Sequence, residues 1–166
     1  STINGTNQLG SSLSLSSDGN VVAAICGGNQ TALVYKWNGT NTWVQSGSAI
    51  SNARHTALSS DGTILAVSKY SNNVSVYSLV NNTWTQIGND VTMSGDFGYS
   101  LSLSSDGTIF AAGAPNDSNN GSQTGSVRVF EWNQSNWAQI GDAIYGVTAS
   151  EECGASVSLS SDGLQV

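Results

Sequence analysis

FGYSLSLSSDGTIFAAGAP, residues 97–115, is the stretch from which the fold can be read. Along 99–104, Leu101 and Leu103 fall on one face and serines on the other, the pattern of a half-buried strand. Ser105, Asp106 and Gly107 follow, and Asp-Gly between two strands marks a tight hairpin. Residues 108–114 are a short continuous apolar run with small side chains, suited to a strand buried on both faces. Pro115 stands at the end of that strand, where it removes no needed ladder donor. Further along, 116–125 is a polar loop. Residues 126–132 alternate again, with Val127 and Val129 set against Arg128, Phe130 and Trp132. Residues 133–136 turn the chain, and 137–140 read as a fourth strand. The unit is therefore four antiparallel strands.

The same unit recurs. Ser-Ser-Asp-Gly occurs four times, with Asp18, Asp61, Asp106 and Asp162 separated by 43, 45 and 56 residues. A second marker, Trp-x-Gln-x-Gly, follows the first three, at Trp43, Trp84 and Trp137. Tyr35 in 32–37 and Tyr77 in 74–79 take the place of Phe130 in the third strand. No segment has a helical period. A repeat of several strands every ~40–50 residues points to a propeller rather than a solenoid. The fold class expected is all-β, a β-propeller of four-stranded antiparallel blades. The blades span about 10–48, 53–88 and 98–141, with an incomplete fourth at 154–166. Propellers carry roughly 4 to 8 blades. The segment is thus expected to belong to a larger ring, completed by the same chain or by another.

Composition limits the partners. Charged residues make up 9% of the 166-residue chain, against about 25% in typical soluble domains. The only cations are Lys36, Lys69, Arg54 and Arg128, and the net charge is −7. Such a chain has no phosphate-neutralising patch, so nucleic acid and anionic membrane surfaces are unsuited as partners. No apolar stretch is long enough for a membrane helix, and no signal peptide opens the chain. A surface of Ser, Thr, Asn and Gly suggests an extracellular, cell-surface or virion-surface protein. Two cysteines, Cys26 and Cys153, make neither a disulfide framework nor a zinc spacing.

The third unit resembles the FG-GAP repeat of integrin-α-like propellers. Phe97-Gly98 precedes its first strand, Gly113-Ala114-Pro115 ends its second, and Gly125-Ser126-Val127 with Val129-Phe130 fits the family's third strand. The likeness covers one unit well and the others in part. The first unit has Leu9-Gly10 and Ile25-Cys26-Gly27, the second has Asn52-Ala53, and the fourth has Cys153-Gly154. The Ser-Asp-Gly hairpin also has a general likeness to WD repeats, without a Trp-Asp dipeptide. Family members that bind calcium use an acidic loop. Here each hairpin offers one carboxylate, far from the roughly six to eight oxygens calcium takes. Asp18, Asp61, Asp106 and Asp162 are therefore read as turn residues. Asp117, in the polar loop at 116–120, adds one more charge. Calcium is unsupported by the ligand count, and no cofactor or metal is expected.

Few residues of the chain suit catalysis. His55, the single histidine, replaces the serine found at position 100 of the third unit. No nucleophile elbow accompanies it, so it reads as a strand-face residue. Glu151 and Glu152 are adjacent loop acids, a weak match to a glycosidase pair. Trp43, Trp84 and Trp137 recur at one blade position and read as inter-blade packing, with sugar stacking as the alternative. Trp37 and Trp132 recur on the third strand. Eight N-glycosylation sequons start at Asn4, Asn29, Asn38, Asn73, Asn81, Asn116, Asn120 and Asn133. The function expected is non-enzymatic: an extracellular propeller for protein interaction, adhesion or scaffolding, with the protein partner bound through ring-face loops. The alternatives are a glycan-binding propeller, or an enzyme whose active residues lie in further blades.

Overall fold

The computed structural model describes residues 9–166. The described residues contain β-strands and no helix. The first blade holds β1 (Leu9–Leu15), β2 (Val21–Cys26), β3 (Thr31–Trp37), β4 (Trp43–Gln45) and β5 (Ile50–Ser51). The second holds β6 (Ala53–Leu58), β7 (Ile64–Lys69), β8 (Asn73–Val80), β9 (Thr83–Gln86) and β10 (Val91–Thr92). The third holds β11 (Ser100–Leu103), β12 (Ile109–Ala114), β13 (Ser126–Trp132) and β14 (Trp137–Tyr145). Neighbouring strands are antiparallel throughout each sheet. In the first two blades the outermost strand is split, and both halves pair with the third strand. The left-handed Gly47 and Gly88 lie in those breaks. In the third blade the strand continues through Gly141, because β13 and β14 absorb the extra residues in a bulge between Val127 and Val129. The strand expected at 137–140 is longer for that reason.

Blades pack face to face. β1 lies against β6 and β6 against β11, so the inner strands converge. Two apolar clusters fill the two interfaces. One gathers Ile25, Val34, Leu65, Val67 and Trp84; the other gathers Val74, Val76, Phe97, Phe110, Phe130 and Trp137. Phe110 stacks on Phe130 at 5.0 Å and meets Trp137 edge-on at 5.1 Å. Trp84 donates its indole N–H to the Ser46 carbonyl of the blade before it, and Trp137 does the same to Ile87, each at 3.0 Å. Trp43 occupies the same position in the first blade and is half-buried.

Each letter of Ser-Ser-Asp-Gly has a separate task. The first serine is buried at Ser16, Ser59 and Ser104. Its hydroxyl donates to the aspartate (2.7 Å in all three) and accepts the backbone N–H opening the next strand, at Val21, Ile64 and Ile109. The aspartate also accepts the N–H two residues on, at Asn20, Thr63 and Thr108. The second serine links blades: Ser17 donates its N–H to the Ser60 carbonyl, Ser60 to Ser105, and Ser105 to Ser161, at 2.8–2.9 Å. The glycine adopts φ near 71–76°, and at Gly62, Gly107 and Gly163 it lies on the side chain of Val21, Ile64 or Ile109 from the preceding blade. The fourth unit makes this turn as well, although it forms no named strand.

The antiparallel order gives the blades two ends. The Ser-Ser-Asp-Gly hairpins and the turns between third and fourth strands lie at one, the hairpin end. The links between second and third strands, and those between blades, lie at the other, the loop end.

Candidate functional site at the loop end

The inner strand of the second blade breaks the repeat. Counting from the shared aspartates, position 55 corresponds to Ser12, Ser100 and Ser156, and position 54 to Ser11, Tyr99 and Ala155. The serines are structural. Ser12 accepts the Thr56 N–H at 3.3 Å, and Ser100 donates to the Gly154 carbonyl at 2.8 Å, each crossing to the next blade. Ser14 and Ser102 make a second such pair of bonds, to the N–H groups of Leu58 and Leu159. In the second blade His55 and Ala57 stand at these two positions, so its inner strand has no serine stitch to the third. Aromatic contact replaces it.

A bulge shapes this contact. β6 pairs Ala53 with Lys69 and His55 with Ser68, leaving Arg54 as the extra residue. Consecutive residues of a regular strand point to opposite faces. Here Arg54 and His55 reach the same ring: the Arg54 guanidinium carbon lies 4.7 Å from the Tyr99 centroid, and the His55 ring lies 6.1 Å from it. Tyr70, from the turn after β7, approaches the guanidinium at 5.6 Å. Asp96 stands 3.8 Å away with its backbone in the left-handed region (φ 62°). Its other oxygen accepts from the Asn116 amide at 2.7 Å, which orients the carboxylate. Burial, with the adjacent Arg54 cation second, holds the His55 imidazole below its ordinary pKa and therefore neutral at pH 7.

Two further ion pairs share this end. Lys69 lies 3.6 Å from Asp90, whose carboxylate accepts from Asn73 and Gln86 and from the Ser75 hydroxyl. Arg128 lies 3.0 Å from the buried Asp117 and also donates to the Tyr145 hydroxyl at 3.1 Å. Asp117 accepts in addition from Ser126 and from the Asn119 N–H, so this carboxylate of the polar loop is spent inside the protein. Among the described residues no three His, Cys, Asp or Glu side chains gather as a metal site.

The other residues singled out in the sequence are dispersed. Asp18, Asp61, Asp106 and Asp162 are at the hairpin end; the hydroxyl of Ser16 and the Asn20 N–H lower Asp18 to a pKa of about 2. Glu151 clamps its own turn, accepting from the N–H groups of Val147 and Thr148, while Glu152 is exposed. Trp37 meets Trp43 at 5.5 Å and Trp132 meets Trp137 at 5.4 Å. Cys26 is buried, Cys153 is half-buried, and both are free thiols. Asn29, Asn38, Asn81, Asn116, Asn120 and Asn133 are exposed and Asn73 is half-buried. The amide nitrogens of Asn73, Asn116 and Asn120 already donate to Asp90, Asp96 and the Gly146 carbonyl. Asn4 lies outside the described residues.

No family model matches the chain, and no curated protein is similar to it in sequence. Solved structures are similar in fold. A hydrazine synthase of Kuenenia stuttgartiensis superposes with a TM-score of 0.65 at 16% identity, covering 98% of this chain and 42% of that one. A candidate 6-phosphogluconolactonase from Bacteroides uniformis gives 0.59 at 19% identity, covering 85% and 41%. Sqt1 of Saccharomyces cerevisiae gives 0.59 at 14% identity, covering 86% and 36%. The chain thus spans about two fifths of the length of these structures.

These neighbours correct two expectations. They include a protein named for lactonase activity, and none of them points to extracellular adhesion, so the reading as a non-enzymatic adhesion or scaffolding module is withdrawn. The physical reason lies in assembly. Local motifs report catalytic groups close in sequence, whereas a propeller builds its sites from loop-end residues of several blades. At these identities the likeness establishes architecture alone. This chain is a segment of a β-propeller, three four-stranded blades and the opening turn of a fourth.

Proposed function

We propose that this segment carries part of a small-molecule site at the loop end, where the whole ring binds and transforms a small, oxygen-rich polar substrate. The break in the repeat at Arg54 and His55 supports this reading. Elsewhere those positions hold serines that stitch blades, or residues without charge. Here a cation and a neutral imidazole share one aromatic ring beside the converging inner strands. A neutral imidazole can take a proton from water, the step that ester or lactone hydrolysis requires. The name of the Bacteroides uniformis neighbour makes sugar lactones the first substrate class to try. The test is hydrolysis of glucono-δ-lactone by the full chain, followed by acid release, with H55A and H55S as variants. Turnover that both variants lose while keeping the wild-type circular dichroism supports the reading. Turnover unchanged in both variants, or no binding of lactones or sugar acids at all, overturns it.

The FG-GAP affinity of the repeats belongs to the same proposal. Phe97-Gly98 supports it: Phe97 is fully buried, and the left-handed Gly98 lies against Ser68 of the neighbouring blade. An extracellular placement rests on the sequons. Of these, Asn29, Asn38, Asn81 and Asn133 are exposed, and their amide nitrogens donate no hydrogen bond among the described residues, unlike those of Asn73, Asn116 and Asn120. A mass loss on enzymatic deglycosylation of the native protein checks it.

A further inference from the structure

Arg54 is held in an unusual way for a cation of an acidic chain. Its side chain is 18% exposed, yet the guanidinium makes no hydrogen bond within the described residues. The contact to Asp96, at 3.8 Å, is beyond hydrogen-bond length. Tyr99 and Tyr70 approach the guanidinium as cation–π partners at 4.7 and 5.6 Å. Neither ring contact supplies an acceptor oxygen to the five N–H donors that the group carries in a fixed fork along its rim. The bulge in β6 and the Asn116 grip on Asp96 fix both partners in place.

Arg128 shows the contrast. It is more buried, with its side chain 11% exposed, and it spends donors on Asp117 and Tyr145 at 3.0 and 3.1 Å. It is a structural clip between loop and strand. Arg54 has the anchoring without the spent donors. We infer that Arg54 is an oxyanion anchor: its rim binds the carboxylate or phosphate of a small-molecule ligand, and Asp96 is the resident counter-ion that the ligand displaces. Paired N–H donors match two oxygens of either group bidentately. His55, on the same tyrosine ring, adds a neutral hydrogen-bonding group beside the anion. This assignment rests on the loop end being the site, and it names the chemical group that the site selects.

The test uses the full chain with three probes: inorganic phosphate, gluconate, and the neutral glucono-δ-lactone, each followed by titration calorimetry and by amide chemical shifts. Binding of phosphate or gluconate at one site is expected, phosphate alone identifying a phosphate ligand and gluconate alone a carboxylate. R54Q should weaken that binding about tenfold or more, the loss of a charge-assisted fork. R54K, which keeps the charge and loses the fork, should also weaken it and guards against a folding defect in R54Q. D96N should tighten binding by removing the competing anion. If both Arg54 variants bind the anions as wild type does, the anchor is disproved. If neither anion binds but the lactone does, the anchor fails and the proposed function stands. If none of the three binds, both fail.

Discussion

Gly62 shows how closely a single hairpin residue is specified. Its φ of 71° lies in the left-handed region, and a Cβ there would fall 2.7 Å from the side chain of Val21 on the preceding blade. Gly39 has a similar φ of 82° but open space around it. G39A should therefore cost only the backbone term, about 1 kcal/mol, while G62A should cost roughly 2–4 kcal/mol through added overpacking. Urea denaturation of the two variants measures the difference. His55 couples stability to pH. Its folded pKa lies below the unfolded value, so between the two the unfolded chain binds more protons. The stability that the neutral imidazole brings is complete above about pH 6.5 and is lost as pH falls through the lower folded value. Wild type should lose more stability than H55S between about pH 7.5 and 5; equal losses would contradict it.

The blade interfaces depend on one aromatic position per unit. Trp137 is 6% exposed, packs on Phe110, and donates to the Ile87 carbonyl of the second blade. W137A should cost about 3–5 kcal/mol, the usual loss for emptying a buried aromatic site. W137F keeps most of the apolar volume and loses the donor, for about 1–2 kcal/mol. Similar shifts of the denaturation midpoint for the two would show that the indole N–H dominates. The strands themselves were legible in the sequence, because alternation at 99–104 and 126–132 reports which face is buried whatever the partner. The β14 length was not legible. Whether Gly141 ends a strand or bulges within it depends on the register with β13, which no local pattern encodes.

Across the molecule, the second serine of each hairpin joins its blade to the next. The amides of Ser60 and Ser105 sit in hairpin turns, where exchange is ordinarily fast, yet each donates across a blade boundary at 2.8 Å. Hydrogen exchange should show them protected like the β7 and β12 amides, and protection of Ser60 should fall when G107A loosens the boundary it crosses. Free exchange at Ser60 and Ser105 in the intact protein would mean that the blades are not linked this way. By itself the sequence determined the unit, its period and its all-β class, because repeated alternation and repeated turn residues are local signals that accumulate over the repeats. It also marked position 55 as a departure from the repeat. Only the tertiary structure decided what that departure means. A one-residue bulge turns Arg54 and His55 to the same side, and the neighbouring blade supplies Tyr99 and Asp96 from more than 40 residues along the chain. Contacts made by packing separate blades leave no trace in the spacing of residues within any one of them.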